Sequence, residues 1–107
     1  MTETNPHIKV IPAKTKGFIS INSHPAGCAK SVTEWSERAK SKPTLTGLGS
    51  SPKALILGGT TGYGLATRVI LAENLNASTI SVGFDAAASE SRPGTAGWYN
   101  TYSFHQR

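Results

Sequence analysis

The sequence predicts an α/β fold: a strand–helix–strand unit with parallel strands, preceded by a short N-terminal strand pair and a helix. Three observations carry this. Residues 54–57 (ALIL) form a continuous apolar run without alternation, the pattern of a strand covered on both faces in a parallel sheet. Three spaced glycines, Gly58, Gly62 and Gly64, break the run, and Leu65, Ala66, Val69, Ile70 and Ala72 follow at helical spacing towards Leu75. Residues 79–84 (TISVGF) are a second β-rich run. This order makes parallel strands joined by a right-handed crossover the expected topology.

The remaining elements follow from local signals. Residues 1–7 are polar and are expected to form a flexible end, leaving 8–107 as the folded part. Ile8–Ile11 and Phe18–Ile21 are short β-branched or aromatic runs, and turn residues at Pro12–Gly17 between them suggest a small strand pair. Asn22–Gly27 (NSHPAG) reads as a loop. Ser31–Ser41 reads as a helix with Val32, Trp35 and Ala39 on one apolar stripe, stopped by Pro43. Leu45–Pro52 is a Gly/Ser-rich loop, Asp85–Thr95 a loop of small residues, and Gly97–His105, with four aromatics, reads as the start of a further helix. Trp98, Tyr99, Tyr102 and Phe104 there are expected to serve mainly in core packing.

Composition narrows the function. The 107 residues bound the chain at one domain or part of one. No run approaches the ~20 apolar residues of a membrane span, and Met1–Lys9 has no apolar signal core. The single cysteine, Cys28, excludes an internal disulfide framework and a thiolate-rich zinc site, and points to a reducing, cytoplasmic location. His7, His24 and His105 are too dispersed to suggest a metal site. The net charge of +5 sits in the first half, where residues 1–53 hold eight of the eleven lysines and arginines. These cations are scattered. Trp35, the aromatic near Arg38, Lys40 and Lys42, belongs to the apolar stripe, so solvated lysines are favoured over a nucleic-acid surface. His24 and Cys28 as a nucleophilic pair are disfavoured, because nothing in the sequence orients the histidine.

The chemically loaded stretch is Gly58-Gly59-Thr60-Thr61-Gly62-Tyr63-Gly64, read as G-x-x-x-G-x-G. A sharp turn from strand into helix needs backbone angles that glycine adopts freely. A diphosphate must approach the chain closely, and the helix must lie near the strand, both of which favour a missing side chain. The N–H groups of the first helical turn then face the anion, and Thr60 and Thr61 can add hydroxyl donors. Asp85 follows the second strand, 21 residues after Gly64, where a dinucleotide fold places the carboxylate that binds the adenosine ribose. A carboxylate there repels a 2′-phosphate, which favours NAD(H) over NADP(H). No lysine follows the glycines, so this is not a phosphate loop of the Walker type.

Three segments together resemble the trans-2-enoyl-CoA reductase family, which includes the FabV-type enoyl-[acyl-carrier-protein] reductases. They are Gly17–Ile19 running to His24-Pro25-Ala26-Gly27-Cys28; Leu57–Arg68 (LGGTTGYGLATR); and Arg92-Pro93-Gly94-Thr95-Ala96-Gly97-Trp98-Tyr99-Asn100. The third is far more specific than a glycine fingerprint, and the resemblance runs from about Ile8 onward. It implies an enlarged short-chain-dehydrogenase-like Rossmann domain and an NADH-dependent reduction of 2,3-unsaturated acyl thioesters in fatty acid metabolism. It also implies cofactor-binding roles for Gly58, Thr60, Thr61, Gly62, Tyr63, Gly64 and Asp85, the last at a position usually held by glutamate.

The family's proton donor is a tyrosine followed, after eight intervening residues, by a lysine. Here the tyrosines are Tyr63, Tyr99 and Tyr102, position 72 is Ala72, and no lysine follows Lys53. No catalytic residue is therefore assigned. Residues 8–107 are expected to be an incomplete NAD(H)-binding Rossmann domain, the N-terminal part of a longer reductase, inactive alone. Acyl-CoA or acyl-carrier-protein substrates would meet only the full-length parent. An open sheet edge is expected to favour self-association. The alternative is a stand-alone small module that binds a nucleotide or a partner without catalysis.

Overall fold

A computed structural model describes residues 23–106 and, before them, residues 15–16 and 19–20. The elements are β1 (Thr15–Lys16), β2 (Ile19–Ser20), α1 (Pro25–Ser41), β3 (Lys53–Leu57), α2 (Gly62–Asn74), β4 (Ser78–Val82) and α3 (Ala96–Gln106). β1 and β2 form one antiparallel pair, and β3 and β4 a separate parallel one. The expected strand at Phe18–Ile21 is present at Ile19–Ser20. Its partner is Thr15–Lys16, inside the stretch read as a turn, because pairing with the adjacent segment closes a shorter loop. The run Ile8–Ile11 and the end at 1–7 lie outside the described residues.

Helix α1 starts at Pro25, not at Ser31. Pro25 stands at the first helical position, where its missing N–H costs nothing. His24 is the N-cap, its Nδ1 accepting from the Gly27 N–H at 2.9 Å. The stripe Val32 and Ala39 is buried as expected, with Ser36 between them and Trp35 packed against it. The helix ends at Ser41, and Asn74 at the end of α2 holds that end. Its Nδ2 donates towards the carbonyls of Ala39, Lys42 and Pro43 at 3.1, 3.2 and 3.1 Å, and its Oδ1 accepts from the Leu45 N–H at 2.8 Å. A Lys40–Glu73 ion pair at 3.1 Å lies beside it. Asn74→Ala strands these backbone groups and is expected to lower stability by about 1–2 kcal/mol, read in a denaturant melt. An unchanged midpoint would show that water replaces the amide fully.

β3 and β4 pair in register from Lys53↔Ser78 to Leu57↔Val82, as the strand–helix–strand order predicts. Helix α2 lies on one face of this pair, where Ala54, Ile56, Thr79 and Ser81 are half-buried. α1 packs against α2, and α3 packs against α1. None of the three covers the second face. There Leu55, Leu57, Ile80 and Val82 are exposed at 66%, 76%, 67% and 54%. The unbroken apolar run predicts cover on both faces, and among the described residues only one is covered.

The core is Val32 and Ala39 of α1, Leu65, Val69 and Ala72 of α2, and Phe104 of α3. Arg68 is buried within it. Its guanidinium carbon stands 4.3 Å from the Phe104 ring centre, and its Nε donates to Thr79 Oγ1 at 3.0 Å. One cation thereby joins α2, β4 and α3. Of the aromatics expected to pack, Phe104 is buried and Tyr99 half-buried, while Trp98 and Tyr102 are exposed.

Candidate functional site

The site grows from the carboxyl ends of β3 and β4. Gly58 leaves β3 with φ +76°, a conformation that strains any residue with a Cβ, and its N–H donates to the Val82 carbonyl at 2.7 Å. Gly62 opens α2 with φ +56°. Gly64 serves a different need, since a Cβ there would collide with the Gly58 carbonyl oxygen. The first turn of α2 carries no acid, and Thr61, its N-cap, makes no side-chain capping bond. At Gly58 and Gly62 an added Cβ would meet nothing within 4 Å, so both backbones border open space.

Facing this turn, the chain leaves β4 through Gly83, Phe84 and Asp85 and returns at Thr95, the residue before α3. Between them is a cleft of about 530 Å³ lined by Leu57, Gly58, Thr60, Thr61, Val82, Gly83, Phe84, Asp85, Thr95, Ala96 and Gly97. Asp85 is half-buried, and its Oδ1 accepts from Thr95 Oγ1 at 3.1 Å. Gly97 lies so near that a Cβ would collide with Asp85 Oδ1. Asn100 donates from Nδ2 to the Thr60 carbonyl at 3.1 Å, tying α3 to the glycine turn.

The structure brings Gly58, Thr60, Thr61 and Asp85 to one cleft, with Gly64 behind the turn. Gly62 borders a second concavity with His24, Cys28, Trp35 and Asn100. Tyr63 is 95% exposed on the first turn of α2 and does not line the cleft. Sequence reasoning assigned no site role to Phe84, Thr95, Gly97 and Asn100. Phe84 reads as the last apolar residue of a strand, yet it is fully exposed at the cleft. The other three lie in the motif Gly94-Thr95-Ala96-Gly97-Trp98-Tyr99-Asn100, whose specificity was the available signal.

His24 and Cys28 do not form an activated pair. His24 Nδ1 is committed to the Gly27 N–H, and burial raises the Cys28 thiol above its ordinary value. Among the described residues no group of three His, Cys, Asp or Glu side chains is gathered as a metal site. No described helix is long and apolar enough to cross a membrane.

A family model described as the NAD(P)H binding domain of trans-2-enoyl-CoA reductase matches residues 10–90. The chain is 48% identical over 98 residues to an enoyl-[acyl-carrier-protein] reductase [NADH] of Pseudoalteromonas atlantica, covering 91% of this chain and 24% of the relative. It is 44% identical over 97 residues to a Coxiella burnetii protein of the same name, covering 91% and 23%. Among solved structures, the trans-2-enoyl-CoA reductase of Treponema denticola in complex with NAD superposes with a TM-score of 0.78 at 37% identity. That match covers 92% of this chain and 25% of the other. A Clostridium trans-2-enoyl-CoA reductase in complex with NADH gives 0.78 at 34%, covering 92% and 24%. The chain thus spans about a quarter of the length of these relatives.

Proposed function

The chain belongs to the family of NAD(P)H-binding domains of trans-2-enoyl-CoA reductases, and from that premise we propose that its cleft binds NADH through the adenosine and diphosphate end of the cofactor. The observation that carries this reading is the meeting of the glycine turn and the Asp85 carboxylate in one cleft. The diphosphate lies over Gly58 and extends towards Gly62, at the rim shared with the adjoining concavity, where the backbone borders open space and the first turn of α2 presents N–H groups and a positive dipole end. Thr60 and Thr61 add hydroxyl donors beside it. Tyr63, exposed on the first turn of α2 outside the cleft lining, could reach the cofactor only from that rim, and Gly64 keeps the turn tight against that helix. Asp85 accepts from the ribose hydroxyls and disfavours a 2′-phosphate. The exposed ring of Phe84 offers an apolar face to the base.

When bound, NADH supplies a hydride. This chain's residues bind and orient the cofactor, and none of them is assigned a proton transfer. The reductase reaction on 2,3-unsaturated acyl thioesters, with acyl-CoA or acyl-carrier-protein as substrate, is the wider function we propose for the polypeptide of which residues 8–107 form the cofactor-entry part. A cytoplasmic location follows from that role.

Titration calorimetry tests the reading. ADP-ribose is expected to bind about as tightly as NADH, because the contacts lie at the adenosine and diphosphate end. Gly62→Val is expected to abolish both, by placing a branched side chain at positive φ where the diphosphate approaches. Failure of the unaltered chain to bind either ligand overturns the proposal. NADH binding far tighter than ADP-ribose overturns the restriction to the adenosine end.

A further inference from the structure

We infer that Thr95 is the positioning residue for Asp85, setting the carboxylate that selects NADH over NADPH; the inference rests on the reading of the cleft as a dinucleotide site. The Thr95 hydroxyl has one hydrogen and two acceptor sites. Two backbone N–H groups, of Ala86 and of Trp98, donate to its oxygen at 3.2 Å each. With the acceptor sites filled, the hydrogen is directed at Asp85 Oδ1, 3.1 Å away. One carboxylate oxygen is held, and Oδ2 is left for the ligand. The Thr95 N–H in turn donates to the Ala86 carbonyl at 3.0 Å, so the residue after Asp85 is clamped from both sides.

The surrounding motif completes the device. Thr95 caps the start of α3 through the Trp98 N–H. Gly97 lets that helix approach Asp85 without a Cβ, and Asn100 fixes the same helix to the Thr60 carbonyl. Helix α3 therefore registers the ribose carboxylate against the phosphate turn. Asp85 sits in a connection beyond β4, where an unheld carboxylate would turn into solvent and away from a 2′-phosphate. Held in place, it both accepts from a diol and repels a phosphate.

The test measures NADH and NADPH affinities of the chain by calorimetry for Thr95→Val, Thr95→Ser and Thr95→Gly. The unaltered chain is expected to prefer NADH. Thr95→Val is expected to weaken NADH about tenfold and NADPH far less, so the preference narrows. Thr95→Ser keeps the hydroxyl and is expected to keep the preference. Thr95→Gly loses the hydroxyl yet retains a residue tolerated at a helix N-cap, so it reads the same narrowing should the valine variant fail to fold. In an Asp85→Asn background, Thr95→Val is expected to leave the NADH:NADPH ratio unchanged. Equal weakening of both cofactors shows a helix cap alone and overturns the inference, as does an unaltered preference in Thr95→Val. If the unaltered chain binds neither dinucleotide, the reading of the cleft falls, and this inference with it.

Discussion

Gly64→Ala is expected to destabilise the chain by about 3 kcal/mol, to lower its melting temperature by about 10 °C or more, and to remove dinucleotide binding. The added Cβ would collide with the Gly58 carbonyl oxygen and stand 2.8 Å from the Gly58 carbonyl carbon and 3.0 Å from Gly59 Cα. All three are backbone atoms, so no side-chain rotation relieves the contact. Gly58 is itself bonded to the Val82 carbonyl, and moving it breaks the join between the turn and β4. The remaining relief is to tilt α2 outward, which uncovers Leu65 and Val69 and shifts the N–H groups of its first turn, proposed above to face the diphosphate. Gly49→Ala, in a loop with nothing nearby, is the control. Its φ of +74° makes it mildly costly, and binding should persist. A thermal melt and a titration on the two variants check the contrast. A Gly64→Ala melt within about 2 °C of the parent would show that the turn yields freely.

The second large effect concerns association. The purified chain is expected to pair with itself through the uncovered face and edges of the β3–β4 pair, a second copy being the partner present in quantity. Among the described residues each strand of the β3–β4 pair has an outer edge without a ladder partner, and such edges recruit other chains. Here the uncovered face is also apolar, and Phe84 extends it towards the cleft. Leu55 and Ile80 are register partners at its middle. Leu55→Gln with Ile80→Gln is expected to weaken association at least about tenfold, since each change exposes a polar amide where an interface needs a dry centre. Both residues are already exposed, so the monomer fold should survive. Sedimentation and near-ultraviolet circular dichroism report the outcome. A parent chain that is monomeric, with sharp tryptophan dichroism and a cooperative melt, would show that the face is tolerated in water.

The parts legible in the sequence were those with short-range causes. The apolar run, the spaced glycines and the helical periodicity specify β3, α2 and β4, and the parallel pairing follows from their order. The start of α1 was not legible, because histidine seldom serves as an N-cap and Pro25 reads as a breaker. Its backbone role at the first turn appears only once the cap is seen. The bare sheet face was hidden for a different reason. Leu55 and Leu57 point to one side and Ile56 to the other, and no local pattern says which side lacks a helix. Of the candidate residues singled out in the sequence, Gly58, Thr60, Thr61 and Asp85 meet at the cleft, Gly64 lies behind the turn, and Gly62 and Tyr63 do not line it. Thr95 was not among them, since its importance lies in three hydrogen bonds to groups on two different segments.

The packing of α3 against α1 sets an order on folding. During synthesis α1 leaves the ribosome before α2 and α3, so its stripe of Val32 and Ala39 meets its core partners only as α2 and then Phe104 arrive. The β3–α2–β4 unit is the more local of the two assemblies and closes its contacts at smaller loop cost. The glycine turn is therefore expected to form early. The clamp on Asp85 can form only later, once the segment that contains Thr95 has been made. On the proposed reading, the carboxylate that would select between dinucleotides is thus set after the turn that would hold the diphosphate.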